Sequence, residues 1–168
     1  MTPNIEIVLR TVAIGAGATA VMDGWAWLLR RLGVPSLDFA LLGRWIGHFR
    51  DGQWLHASIA KAPPVRGEAV LGWLAHYSIG IGFSALLLAL FGLRWARSPT
   101  LLPALAIGIV TVAAPLLLLQ PALGAGIASS KTAAPLFNSL KSVVTHTVFG
   151  FGLYLAAWVS SVIVPVAR

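Results

Sequence analysis

Two histidines sit in matching settings. The chain reads Gly72-Trp73-Leu74-Ala75-His76-Tyr77-Ser78-Ile79-Gly80-Ile81-Gly82 around one, and Ser142-Val143-Val144-Thr145-His146-Thr147-Val148-Phe149-Gly150-Phe151-Gly152 around the other. Both contain H-x-x-x-G-x-G, seventy positions apart (146 − 76 = 70). An imidazole can carry a proton, ligate a metal or haem iron, or hydrogen-bond a neighbouring helix. Asp23 adds a carboxylate, Gln120 an amide, Thr19 a hydroxyl and Tyr77 a phenol. Together these are candidates for a ligand or proton site. There is no cysteine, so thiolate metal sites and cysteine nucleophiles are excluded. Neither G-x-S-x-G nor H-E-x-x-H occurs, so an enzyme acting on lipid is disfavoured and no catalytic residue is assigned.

Every candidate group lies in an apolar stretch. On a helix, positions four apart share a face. Gly72, His76, Gly80 and Ser84 form one stripe, Ser142, His146, Gly150 and Tyr154 a second, and Gly15, Thr19, Asp23 and Trp27 a third. Small residues let helices approach closely, which makes Gly15, Gly72, Gly80 and Gly150 packing residues. Gly80-Ile81-Gly82 lies inside a span, so its context excludes a dinucleotide loop. For each histidine alone, the competing role is a hydrogen bond between helices, worth about 0.6 kcal/mol on average. Asp23 is harder to dismiss, because a carboxylate at a helix centre costs about 2.5–3.5 kcal/mol on insertion scales. It needs a partner, and the histidines are candidates.

Composition fixes the class. Of 168 residues, 58% are hydrophobic and only 10% charged, against roughly 25% charged in soluble domains. Mean hydropathy is +0.85. The net charge of +7 is better explained by membrane orientation and anionic lipid than by nucleic acid, since most basic residues fall in loops. The N-terminus has no basic region before its apolar run, so the first span is expected to remain.

A membrane-crossing helix needs about 20 apolar residues. Four stretches qualify: Ile7–Leu32, Ala69–Leu93, Leu101–Leu123 and Leu140–Val164. The expected fold is an all-α membrane protein, one domain over residues 1–168, with four transmembrane helices in a bundle. Two helix-loop-helix halves are suggested by the histidine motifs, by Ala62-Pro63 and Ala134-Pro135, and by Ala13-Ile14-Gly15 and Ala106-Ile107-Gly108. Such halves would form a parallel internal repeat.

The first loop, residues 33–68, carries its own pattern. Ser36 is the expected N-cap of an amphipathic surface helix over Ser36–Phe49. Leu41, Leu42, Trp45, Ile46 and Phe49 share one face, and Gly43, Arg44, Gly47 and His48 are opposite, with Arg44 expected to face water. Eight of the 12 Lys and Arg lie on the side of the two larger loops, which favours placing those loops in the cytoplasm. Arg10, near a span end, is expected to snorkel.

Depth follows from a rise of about 1.5 Å per residue. It puts His76, His146 and Asp23 roughly 10–13 Å from the larger-loop side, with Gln120 in the same half. The four spans are therefore expected to bring Asp23, His76, His146 and Gln120 to one polar site.

At these residues the chain resembles a family of small bacterial inner-membrane proteins catalogued only as a domain of unknown function. The resemblance covers nearly the whole chain. It rests on Gly17-Ala18-Thr19-Ala20-Val21-Met22-Asp23, Gly43-Arg44-Trp45, His56, Gly72-Trp73-Leu74-Ala75-His76-Tyr77, Gln120-Pro121-Ala122-Leu123-Gly124-Ala125-Gly126, and Thr145-His146 with Phe149-Gly150. It implies a multi-pass inner-membrane protein and supplies no activity.

Three functions compete on the residues. The first is binding or conduction of a small ligand, ion or proton, which with four spans calls for a homo-oligomer. The second is haem b or another metal held by His76 and His146, since facing helices of a bundle build such sites. The third is a structural or accessory subunit. The bilayer is the one partner that composition demands.

Overall fold

The computed structural model describes residues 2–166, which are helical and without strands. Helix α1 covers Pro3–Arg31, α2 Phe39–Gly47, α3 Glu68–Arg97, α4 Leu101–Leu123 and α5 Pro135–Ile163. Four of them, α1, α3, α4 and α5, are long and apolar enough to cross a membrane. Three of the four start with a local reason. Proline stands in the first turn of α1 and of α5, where its fixed φ suits the helix and its missing N–H costs nothing. Gly67 precedes α3 with φ 79°. Helices α1 and α3 run a few residues beyond the apolar stretches, so α1 takes in Glu6 and α3 takes in Arg94 and Arg97.

Helices α1 and α5 form the central pair. Helix α3 packs on α1, and α4 packs on α5. Glycine sets both outer crossings. A Cβ on Gly15 would strike the backbone of Gly80 and Ile81, and a Cβ on Gly108 would lie 2.6 Å from Gly150 Cα. The glycine of each Ala-Ile-Gly stretch thus meets the first glycine of an H-x-x-x-G-x-G motif, so the two helix pairs are built alike. The contacts between the pairs are unequal. Helices α3 and α4 barely touch beyond their shared turn, whereas α1 and α5 interlock along Gly17, Ala18, Gly152 and Ala156.

Helix α4 is not uniform. After Thr111 it widens into a π-helical turn over Ala114–Leu119. Pro115 supplies the cause: it has no N–H to give, and its ring clashes with the carbonyl four residues back. The Gln120 N–H then bonds the Pro115 carbonyl, five residues back, before the helix closes at Gly124 with φ 96°. Such turns are frequent at functional sites.

The half nearer the termini is tightly packed around Ile14, Ala18, Leu87, Leu153 and Ala157, all 0% exposed. At its end Arg10 overturns the expectation of snorkelling, because Glu6 and Arg10 are both 0% exposed. Arg10 Nε donates to Glu6 Oε1 at 2.8 Å, and its other nitrogens donate to the Ser160 and Val164 carbonyls at 2.7 and 2.9 Å. Arg97 closes on the same carboxylate with bonds of 2.9 and 2.6 Å. A paired arginine that also caps the last carbonyls of a helix has no need of water.

The loop between α1 and α3 also departs from expectation. Helix α2 begins at Phe39, and its cap is Asp38, whose Oδ1 accepts from Ala40 N–H at 2.9 Å. Ser36 instead accepts from Arg30 at 2.8 Å. Arg44 does not face water. It pairs with both Glu68 oxygens at 2.9 and 2.7 Å and reaches the carbonyls of Ile59, Ala60 and Ala62. The Glu68 bond holds its guanidinium above its ordinary value. Helix α2 lies so close to α3 that a Cβ on Gly43 would strike the Glu68 carbonyl, and one on Gly72 would strike that of Phe39. Beyond α2, His48 donates through Nε2 to the Pro63 carbonyl at 3.0 Å and accepts through Nδ1 from His56 Nε2–H at 2.7 Å. The His56 backbone N–H bonds the Ala122 carbonyl at 2.9 Å, tying the loop to the end of α4.

Candidate functional site

Asp23 is the centre of the polar contacts between α1 and α3. His76 Nε2–H donates to Asp23 Oδ1 at 2.9 Å, and the Tyr77 hydroxyl donates to Oδ2 at 3.0 Å. Two consecutive residues of α3 thus occupy both carboxylate oxygens. The Gly15/Gly80 crossing below brings the helices close enough for this. The Thr19 hydroxyl returns to the Gly15 carbonyl at 2.8 Å and presses on Gly80, serving the crossing rather than the carboxylate. On its other side His76 is covered by Phe39 of α2, stacked at 3.9 Å and 23°. The site is not sealed: the Asp23 side chain keeps 20% exposure and that of His76 10%.

His146 belongs to the other helix pair. The Thr111 hydroxyl has one proton, which it gives to the Gly108 carbonyl at 2.9 Å. It can therefore only accept from His146 Nδ1, 3.2 Å away. That places the imidazole proton on Nδ1 and the lone pair on Nε2. Gln120 lies between Ser142 and Ser129, donating to the first at 3.3 Å and accepting from the second at 3.0 Å. The expected cluster thus forms in two parts. Asp23, His76 and Tyr77 bond directly, whereas His146 and Gln120 have partners of their own and meet the carboxylate across open space.

That space is a cavity of two lobes. One, of about 350 Å3, is lined by Asp23, Gln120 and His146 with Asn138, Lys141 and Ser142 among other residues. The other, of about 380 Å3, is mostly apolar and runs past Thr19, His76 and His146 between α3 and the widened turn of α4. Met22, Leu37, Phe39, Pro115, Leu119 and His146 border both. Four of the six proposed site residues, Asp23, Thr19, His76 and Gln120, thus line one lobe each, His146 lines both, and Tyr77 sits behind the carboxylate. Among the described residues no group of three or more His, Cys, Asp or Glu is placed to hold a metal ion.

Several contributors escape sequence reasoning. Phe39 on His76 and Thr111 on His146 are contacts between distant elements, and no spacing announces them. Pro115 carries a signal, since a proline inside an apolar run implies a break in regular bonding. Lys141 looks like a loop charge, yet it stands at the cavity edge with Nζ 2.6 Å from the Pro35 carbonyl.

Residues 12–160 match a protein family described as protein of unknown function (DUF2938). The chain belongs to that family. No curated protein and no solved structure matches. The part shared with DUF2938 includes Asp23, His76, Tyr77, Gln120 and His146 and begins after Glu6 and Arg10. The DUF2938 match brings no reaction with it, so any function has to be argued from the cavity.

Proposed function

We propose that this membrane protein holds a small ligand or a proton at the cavity bordered by Asp23, His76 and His146. The observation that carries the reading is the position of the Asp23–His76 pair. It lies at a cavity wall within two spanning helices rather than shut inside a helix contact. With one proton beyond the imidazole's own, a carboxylate–imidazole couple is neutral, the state a low-dielectric interior favours. Such a couple can hold that proton and yield it when the charge in the cavity changes. His146, with Nδ1 fixed by Thr111, offers Nε2 to the same space.

The contacts of His76 argue against paired axial histidines on a haem. Its Nε2 is engaged by Asp23 and one ring face by Phe39. A conducting version needs a longer path than four spans give, and a homo-oligomer is proposed with it. We set the protein in a bacterial inner membrane with the larger loops in the cytoplasm, a placement supported by the basic residues near those loops.

The test uses the full chain in liposomes with an internal pH-sensitive dye, beside an absorption spectrum of the purified protein. Expected are no Soret band and a pH gradient that decays faster than in empty liposomes, with the excess rate lost in Asp23→Asn. A Soret band would overturn the reading in favour of haem. Decay no faster than in empty liposomes, with no ligand retained on purification, would favour a structural subunit.

A further inference from the structure

We infer that the cavity takes an amphiphile, with an anionic head group in the polar lobe and a hydrocarbon tail in the apolar one. This rests on the cavity being a ligand site and names the class of ligand. Three observations lead to it. First, one lobe gathers Asp23, Gln120, Asn138 and Lys141 while the other is lined by few polar side chains, and they share a border at Met22, Phe39 and His146, so one molecule can occupy both. A small polar solute would leave the apolar lobe empty, and a pure hydrocarbon would press on the Lys141 ammonium without matching its charge.

Second, the apolar lobe opens sideways. Helices α3 and α4 barely meet, and the widened turn of α4 stands off from α3. Ile79 and Leu118 line the lobe from its two sides, and Leu118 is 70% exposed. The mouth therefore faces where acyl chains lie, and a tail can enter from the bilayer without crossing water.

Third, the polar lobe carries an unneutralised cation. Among the described residues Lys141 forms no ion pair: its Nζ donates to the neutral Pro35 carbonyl and lies 5.9 Å from the centre of the Phe137 ring. The one carboxylate in the lobe, Asp23, already has His76 and Tyr77. The charge left to be matched is positive, which selects a carboxylate or phosphate head. A lipid head group and a free anion share that chemistry, and the tail separates them.

The test is photolabelling of the full chain in nanodiscs with palmitate carrying a diazirine in its tail, beside the matching neutral alcohol. Palmitate is expected to label Ile79, Phe83 and Leu118. Leu118→Trp should reduce labelling at Ile79 and Phe83 to background, and because Leu118 is exposed this variant should fold. Lys141→Gln should weaken palmitate labelling about tenfold, the scale of one charge-assisted hydrogen bond. It should leave the alcohol unchanged, and Lys141→Arg should restore palmitate. Labelling spread over outward positions such as Leu74, Leu90 and Val162, and indifferent to Leu118→Trp, would overturn the inference. So would thermal stabilisation by inorganic phosphate that depends on Lys141 with no tail labelling, which would assign the site to a small anion. Failure here with Asp23-dependent proton flux intact removes the ligand class alone. Loss of that flux dependence with labelling intact removes the proton role.

Discussion

Asp23 shows how one carboxylate can be kept between spanning helices. Both oxygens accept hydrogen bonds, from His76 and from Tyr77. Removing it should free His76 while leaving His146 alone. In 15N spectra of the imidazoles, wild type should show His76 with its proton on Nε2 and His146 with its proton on Nδ1. Asp23→Val should release the first and leave the second, which depends on Thr111. Thr111→Val should do the reverse. An unchanged His76 signal in Asp23→Val would mean that the pair does not form. Asp23→Ala should lower stability by about 1–3 kcal/mol, the cost of leaving a partly buried donor unsatisfied, as read from thermal unfolding in detergent. Much of this pairing could be anticipated. Depth and the cost of a lone carboxylate pointed to a histidine partner for Asp23. They could not choose between His76 and His146, because that depends on which helix pair α1 joins. Nor could they give Tyr77 its role, since neighbours in sequence point about 100° apart on a helix and only the crossing angle puts both within reach.

Among the elements, glycines that look equivalent in the sequence carry different loads. In the first histidine motif Gly80 lies against Thr19 and α1, while a Cβ on Gly82 would meet nothing within 4 Å. Gly82→Ala should therefore raise stability by about 0.5–1 kcal/mol through helix propensity. Gly80→Ala should lower it. Gly72→Leu, which drives a side chain into the Phe39 backbone, should cost about 1–3 kcal/mol or detach α2. Detachment would appear as loss of the Phe39 ring-current effect on His76. The four spans were legible because an apolar stretch of that length has few alternatives. Helix α2 was legible as a helix and wrongly oriented. Its apolar stripe suggested a face for lipid and a face for water, but Gly43 and Arg44 are fixed by α3 and by three loop carbonyls. A pattern of hydrophobicity does not report a glycine that admits a neighbouring backbone, nor an arginine whose three nitrogens all find acceptors.

For the molecule as a whole, four spans place Thr2 and Val166 at the same end of the bundle. Cysteines introduced there should react with a membrane-impermeant reagent from one side only, and a cysteine at Gly52 from the other. The background is clean because the chain contains no cysteine. Reaction of Thr2→Cys and Val166→Cys from opposite sides would refute four crossings. The unequal halves follow from the same arrangement. Where α1 and α5 interlock the interior is filled, and where α3 and α4 part there is a cavity. Sequence reading could place the polar groups in that half without foreseeing that it would be hollow, since hollowness depends on the bulge at Pro115 and on how two helices diverge.

The contact of Glu6 with Arg10 has a consequence for how the chain is made. The two residues are one helical turn apart, so they can neutralise each other as soon as the first helix forms. Their later partners, Arg97 and the carbonyls of Ser160 and Val164, emerge from the ribosome only after most of the chain is synthesised. The first helix can therefore enter the bilayer with Glu6 and Arg10 already paired, and the last helix completes the cluster. Expressed alone, with a glycosylation site reporting translocation, this helix should insert well as wild type and worse as Glu6→Gln, which leaves the arginine unaccompanied. In the full chain Glu6→Gln should cost about 3–5 kcal/mol, the toll of breaking a buried pair from one side. Equal insertion by both helices would mean that the pair forms only at the end of assembly.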